Sequence, residues 1–240
     1  MANYIRWLGG AGFLFRYNGL RIGLDVYLSN HCMNEDGSFK RLTPPPCAPE
    51  TLEMDYLIAS HEHGDHIDLG CLDLWFGENP DLKLIGTASA LKDAAGIVPK
   101  ERTILLRRGE RLELAPDVII ESVFCDHGDQ SPDAIGVILH LGTLTVYFTG
   151  DTCWREDIAA VTGVGKVDIL LPPINPAYGN PGPDGAAKLA KVFTPKVVIP
   201  CHYFLFKEHG GDPAEFERSL AAIAPGVECR TLAIGEKMGI

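Results

Sequence analysis

The sequence predicts an α/β fold in which two sheets pack together with helices outside. Three observations carry this. The first third alternates short apolar runs with turn residues. Residues 103–148 read as successive strands, and from Arg155 onward helical and strand-like segments alternate. Both halves mix strands with helices, and no linker or low-complexity stretch divides them, so a single domain over residues 1–240 is expected.

The elements follow in order. Residues 12–17 and 20–25 are apolar runs around Asn18-Gly19, a hairpin signal because both turn positions need positive φ. Residues 30–50 are polar, carry Pro44-Pro45-Pro46 and have no period; an insert of this kind is usually functional or mobile. Residues 55–60 form a buried-type strand, and a helix is expected over 68–76 with Asp68 as its N-cap. A strand at 82–85 and a short helix at 89–95, ended by Gly96, come next. The strands of 103–148 break at Arg108-Gly109, Ala115-Pro116, 128–132 and Leu141-Gly142. Helices at 155–161, 185–193 and 213–223 then alternate with strands at 167–171, 196–200 and 228–232. Asp184 is placed to cap the second of these helices.

Composition narrows the function. Hydrophobic residues at 46% and charged residues at 22% are globular values, so a disordered chain is excluded. Lys+Arg 21 against Asp+Glu 32 gives a net charge of −11, which argues against a nucleic-acid partner. No apolar run reaches the ~18 residues a membrane helix needs, so no membrane partner is expected. The opening MANYIRWLGG lacks a basic n-region and a long apolar stretch, so a cytoplasmic location is expected. The seven cysteines include no C-x-x-C pair and read as free thiols. A homo-oligomer stays open.

The strongest chemical signal is His61-Glu62-His63-Gly64-Asp65-His66, directly after a buried strand. Residues two apart in extended chain point the same way, so His61 and His63 can hold one metal ion. Asp65 and His66, past Gly64, can reach a second. Imidazole and carboxylate suit zinc and also serve manganese or iron. Three weaker pieces join it: Cys125-Asp126-His127, Phe148-Thr149-Gly150-Asp151-Thr152 and Pro200-Cys201-His202-Tyr203. Each puts an imidazole or carboxylate where a strand runs into a loop, which is where site residues collect on a sheet scaffold.

With these motifs in order along nearly the whole chain, the sequence resembles the metallo-β-lactamase superfamily. The resemblance implies a four-layer αββα sandwich with a dinuclear site at the sheet ends. It implies His61, His63 and His127 as ligands of the first metal, Asp65, His66 and His202 of the second, and Asp151 between them. Asp65 and Asp151 would be the catalytic carboxylates, and the cofactor two divalent ions, zinc or manganese. The oxygen-reducing di-iron branch carries Glu where this chain has His63, which favours hydrolysis. Finer features resemble the L-ascorbate-6-phosphate lactonase group: Trp7-Leu8-Gly9 with Gly12-Phe13, Asp65-His66-Ile67-Asp68, Val98-Pro99-Lys100-Glu101-Arg102, Tyr178-Gly179-Asn180-Pro181 and Lys196-Val197-Val198-Ile199-Pro200. They imply a lactonase acting on a small anionic sugar-acid lactone such as L-ascorbate 6-phosphate. A shorter N-terminus and insert, and CHY in place of a His pair, are departures from that group.

Two other readings stand beside this one. The same metal pair suits a phosphodiesterase, and a non-catalytic metal-binding protein would carry the same ligands. Loop position and the resemblance nominate His31, Asn175, Tyr178, Asn180 and Tyr203 as substrate contacts. His140 reads as a strand histidine and His209 as a turn histidine beside Gly210-Gly211. Cys125, Cys153 and Cys201 read as small buried thiols. Gly9-Gly10-Ala11-Gly12 reads as a tight turn, because it does not complete a phosphate-binding motif.

Overall fold

The computed structural model describes residues 2–240. They form two compact units, one of residues up to 107 with 205–207 and 232–240, the other of residues 108–204 with 208–231. Each unit is built on one mixed seven-stranded sheet.

In the first unit the strands are β1 (Tyr4–Gly9), β2 (Gly12–Tyr17), β3 (Leu20–Leu24), β4 (Tyr56–Ala59), β5 (Lys83–Gly86), β6 (Thr103–Leu105) and β14 (Lys237–Gly239), in the order β14-β1-β2-β3-β4-β5-β6. The β2–β3 hairpin turns at Asn18, φ +48°, and Gly19, φ +90°, as the dipeptide predicts. From β3 to β6 the strands run parallel. Parallel strands are covered on both faces, and Leu57, Ile58 and Ala59 of β4 are accordingly all buried. Pairing Leu24 with Ile58 brings the ends of β3 and β4 to one edge, where Asp25 and the His61 loop emerge.

Helix α1 (Leu69–Glu78) buries Cys71, Leu72, Trp75 and Phe76, one face at helical spacing, in a core shared with Leu8, Leu14, Val26, Leu57 and Leu84. Asp68 sits at its N-cap position but does not cap it. Its carboxylate instead accepts from the Leu28 and Ser29 amides, 2.8 Å each. The short α2 (Ala88–Asp93) is capped by Thr87, whose hydroxyl accepts from Ala90 N–H at 3.3 Å.

The insert at 30–50 has few regular elements, as expected, but it is anchored within the first unit. Arg41 is 8% exposed; its Nη1 donates to Tyr27 O at 2.8 Å and its Nε to Thr43 O at 3.2 Å. Arg41 also bridges Phe206 in antiparallel fashion, and Leu42 N–H donates to Leu205 O at 2.9 Å. Phe39 and Tyr27 both stand edge-on to Phe206, at 5.7 and 5.6 Å. The insert thereby holds the segment that follows the His202 loop in the chain.

In the second unit the order is β13-β12-β11-β10-β9-β8-β7. Strands β7 (Arg111–Ala115), β8 (Val118–Phe124), β9 (Ile135–Leu141) and β10 (Leu144–Phe148) are antiparallel, while β11 (Ile169–Leu171), β12 (Val197–Val198) and β13 (Glu228–Cys229) continue parallel from β10. Strands β8 and β10 both flank β9, so their C-terminal ends share an edge with those of β11 and β12. Helices α3 (Ile158–Thr162), α4 (Gly182–Phe193) and α5 (Pro213–Ile223) lie between these strands in the chain. Asp184 falls inside the first turn of α4 rather than at its cap, because the helix starts three residues earlier than expected; its carboxylate accepts from Ser219 of α5. Asp212 caps α5, accepting from Ala214 N–H at 2.9 Å.

Replacing Arg41 with Met leaves the Tyr27 and Thr43 carbonyls without this donor, at a cost of about 1–3 kcal/mol. The expected outcome is a lowered melting temperature with faster protease cleavage inside 30–50. Unchanged cleavage would show that the insert is held by its aromatic contacts alone.

Candidate metal centre

Each unit gathers its own part of the ligand set. In the first, His61 follows β4 after Ser60, and His61 and His66 are 0% and 1% exposed. His61 Nε2 and His63 Nδ1 face each other at 3.0 Å, and His66 Nε2 lies 3.6 Å from Asp65 Oδ2. The His61 and His66 rings are 4.0 Å apart between centroids.

A fully buried carboxylate organises these rings. Asp25, φ +47°, accepts from Ser60 N–H at 2.7 Å, from Ser60 Oγ at 2.5 Å and from His66 Nδ1 at 2.7 Å. Because the Ser60 hydroxyl donates to Asp25, its oxygen takes the Nδ1 proton of His61, 3.0 Å away. Both histidines thereby carry their proton on Nδ1 and keep the Nε2 lone pair for a metal. Asp25, His61 and His66 also form a buried group with metal-ligand atoms close together. The Asp25 oxygens, however, already accept these hydrogen bonds, so Asp25 supports ligands rather than serving as one. Asp25 and Ser60 were missed by sequence reasoning. The available signal was an acidic residue ending a strand that pairs in parallel with the strand before the histidine motif.

Gly64 lets the loop pass close to the insert. A Cβ there would meet Cys32 Sγ at 2.8 Å and lie 3.8 Å from His31 Cδ2. His31 is thus exposed beside the histidine loop, with its N–H donating to Ser29 Oγ at 2.9 Å. Burial, then the neighbouring Asp65 carboxylate, pushes the Cys32 thiol up to about 12, which keeps it protonated at neutral pH.

In the second unit His127 follows β8, Asp151 follows β10 and His202 follows β12; all three are buried. His202 Nε2 lies 3.2 Å from Asp151 Oδ2, which also accepts from Asn180 Nδ2 at 2.6 Å. The loops at 125–127 and 150–153 are laced together. Cys125 Sγ donates to Asp151 O at 3.0 Å, Asp126 N–H to Thr152 Oγ1 at 3.1 Å and Cys153 N–H to Asp126 O at 2.9 Å. Gly150, φ +68°, has no room for a side chain, since a Cβ would meet Ile135 O at 2.7 Å and Cys125 Sγ at 2.9 Å. The glycine before Asp151 is therefore a packing requirement.

Several expectations change here. Cys125 and Cys201 are buried, but Cys153 is only half-buried, because it lies on the loop that also carries Arg155 outward to Asp126. His209 lies in the turn that the sequence predicts, but it is 4% exposed and its ring lies 4.6 Å from that of His202. The double glycine after it gives a turn that folds inward. Of the nominated substrate contacts, Tyr178 is exposed at 43%. Asn175 is buried with Nδ2 donating to Ala177 O of its own loop at 3.3 Å. Tyr203 is buried, and Asn180 is buried against Asp151. His140 lies in β9, 3.4 Å from Glu121, as a strand histidine would.

The donor geometry fits a metal. Two nitrogens bound to one zinc at about 2.0–2.1 Å in tetrahedral geometry lie about 3.3 Å apart, close to the His61–His63 separation. Imidazole and carboxylate donors accommodate zinc or manganese. Asp25→Asn removes the charge and one of the two acceptor oxygens that the Ser60 donors and His66 share. Metal affinity, measured by competition with a chromophoric chelator, should fall roughly 10–100-fold; wild-type affinity in this variant would contradict the assigned support role.

Comparison with known proteins points the same way. The family model described as beta-lactamase superfamily domain matches residues 4–202. A UPF0173 metal-dependent hydrolase of Caldivirga maquilingensis is 24% identical over 99% of this chain and 98% of its own length. One from Aeropyrum pernix is 28% identical over 97% and 95%. Among solved structures, Igni18, a metallo hydrolase from Ignicoccus hospitalis, superposes with a TM-score of 0.77 at 20% identity, covering 100% of this chain and 99% of that one. An isothiocyanate hydrolase from Delia radicum gut bacteria gives 0.78 at 18% identity over 99% and 98%. These structures share the fold, so two mixed sheets with few helices are the metallo-β-lactamase architecture that the sequence predicts.

Proposed function

Because the chain belongs to the beta-lactamase superfamily, we propose that it works as a metal-dependent hydrolase that opens carboxylic esters or lactones. Its full-length relatives are metal-dependent hydrolases. In this reading His61, His63 and His127 would hold one divalent ion and Asp65, His66 and His202 a second, with Asp151 a further ligand as the family resemblance implies. The observation that carries the reading is the pairing of ligand atoms inside each unit, His61 with His63 at 3.0 Å and Asp151 with His202 at 3.2 Å.

Zinc or manganese bound there would lower the pKa of a coordinated water to about 7 and polarise the oxygen under attack. The chain does the rest. Asp25 and Ser60 fix the tautomers of His61 and His66, so their Nε2 atoms need no reorganisation. Asn180 donates to Asp151 Oδ2 and sets the plane of that carboxylate. Asp65 and Asp151 bring negative charge that balances the cations, and either can accept a proton as the ester opens. Ester or lactone cleavage is favoured over phosphodiester cleavage by the lactonase-like motifs of the sequence. No described helix is long and apolar enough to cross a membrane, and the seven free cysteines suit the reducing cytoplasm.

His63→Ala should lose metal content and nearly all lactone hydrolysis. Turnover at the parent rate with both ions retained would overturn the ligand assignment. In parallel, assays against lactones and bis-p-nitrophenyl phosphate separate the two hydrolytic readings, with the lactones expected to be cleaved faster. Removing metal with a chelator should lower the melting temperature, since metal at 100 times its Kd stabilises the native state by about 2.7 kcal/mol.

A further inference from the structure

The second unit holds a row of rings beside His202 that the ligand set does not use. The His209 ring is tilted 38° to that of His202 at 4.6 Å, and Tyr178 stands edge-on to His209 at 6.0 Å. Two residues after His202 in the chain, Phe204 stands edge-on to the buried Tyr203 at 5.2 Å. Tyr178 and Phe204 nevertheless leave 43% and 47% of their surface exposed.

Their backbones make this exposure unusual. Tyr178, His202 and Phe204 have φ of +56°, +58° and +55°. The left-handed region costs a bulky L-residue about 1–2 kcal/mol, and glycine would relieve it. Such conformations persist where the surroundings over-determine them, and they gather at ligand sites. Tyr178 is held by Gln130, whose Nε2 donates to the Tyr178 carbonyl at 3.2 Å, three residues beyond His127. Two aromatic rings are thus turned outward, against both hydrophobic burial and backbone preference, on loops adjoining the ligands.

Two arginines that contact the loop after β8 are already engaged. Arg108 donates to Ala134 O at 2.8 Å and Cys125 O at 3.0 Å, and lies over the Phe124 ring. Arg155 is engaged by Asp126 and Asp157. Arg108 and Arg155 therefore both help to hold the scaffold.

We propose that Tyr178 and Phe204 are specificity-determining residues that receive an uncharged, apolar or aromatic substituent of the substrate. The inference rests on the hydrolase reading of the same site and narrows it to aryl- or alkyl-substituted esters and lactones. It departs from the phosphorylated sugar-acid lactone that the sequence resemblance implies.

The test uses the full-length, metal-loaded protein. The first arm compares kcat/KM for γ-phenyl-γ-butyrolactone with that for γ-butyrolactone. The phenyl compound should be favoured about ten-fold, the worth of partly burying one aromatic ring, and Tyr178→Ala and Phe204→Ala should each shrink that ratio to less than about three-fold. A ratio near one in the parent, or a ratio that survives in both variants, overturns the proposal. So does a preference for a phosphorylated sugar lactone. The second arm measures binding of 3-phenylpropionate and propionate by calorimetry, and the same preference and the same losses are expected. If neither lactone is opened while the binding preference holds, the hydrolase reading fails and the aromatic face stands. Equal binding of the two acids in the parent removes the aromatic face whatever the turnover.

Discussion

A fully buried Asp25 carboxylate is the interaction on which the rest of the first unit's site depends. It joins the end of β3 to the end of β4 through two Ser60 donors and reaches the far end of the histidine motif through His66. A buried charge is tolerated only when its lone pairs are satisfied. Here the groups that satisfy it are the ones that set the protonation of two ligand imidazoles. Electrostatic necessity and site geometry thus have one solution. The left-handed conformation of Asp25 fits this view, since local strain persists where several contacts over-determine it.

The second unit solves the equivalent problem with backbone contacts. Its two loops after β8 and β10 are tied by a thiol, a hydroxyl and an amide, and Gly150 allows the close approach this needs. Asn180 then orients Asp151 from a loop that follows β11. The candidate ligands follow strand ends, where a rigid sheet limits their motion, while exposed rings and the insert at 30–50 occupy the loops. This division between a fixed ligand shell and a variable surround is how one fold serves different substrates.

Much of the architecture was legible in the sequence, for identifiable reasons. The β2–β3 hairpin is written in Asn18-Gly19, and α5 starts at Pro213 behind a capping Asp212. The candidate metal site was legible because a buried strand that runs straight into a histidine-rich loop seldom serves any purpose but metal binding. The misses have a common cause. Strand β14 is three largely exposed residues whose pairing with β1 is a backbone matter, so no side-chain pattern marks it. Asp68 and Asp184 looked like caps, but tertiary donors at Leu28, Ser29 and Ser219 claimed their carboxylates. His209 is the turn residue it looked like, but its burial was not legible, because the burial of a loop depends on packing that local sequence does not encode. The insert's anchor, Arg41, was invisible because its buried position depends on the Tyr27 carbonyl and ring, fourteen residues away in the chain.

Anomalous diffraction from crystals of the metal-loaded protein tests the central claim most directly. The account predicts two ions about 3.5–4 Å apart, one on His61, His63 and His127, the other on Asp65, His66 and His202, with Asp151 touching both and Asp25 bound to neither. Metal bound directly by Asp25, or ions placed away from His127, Asp151 and His202, would contradict it.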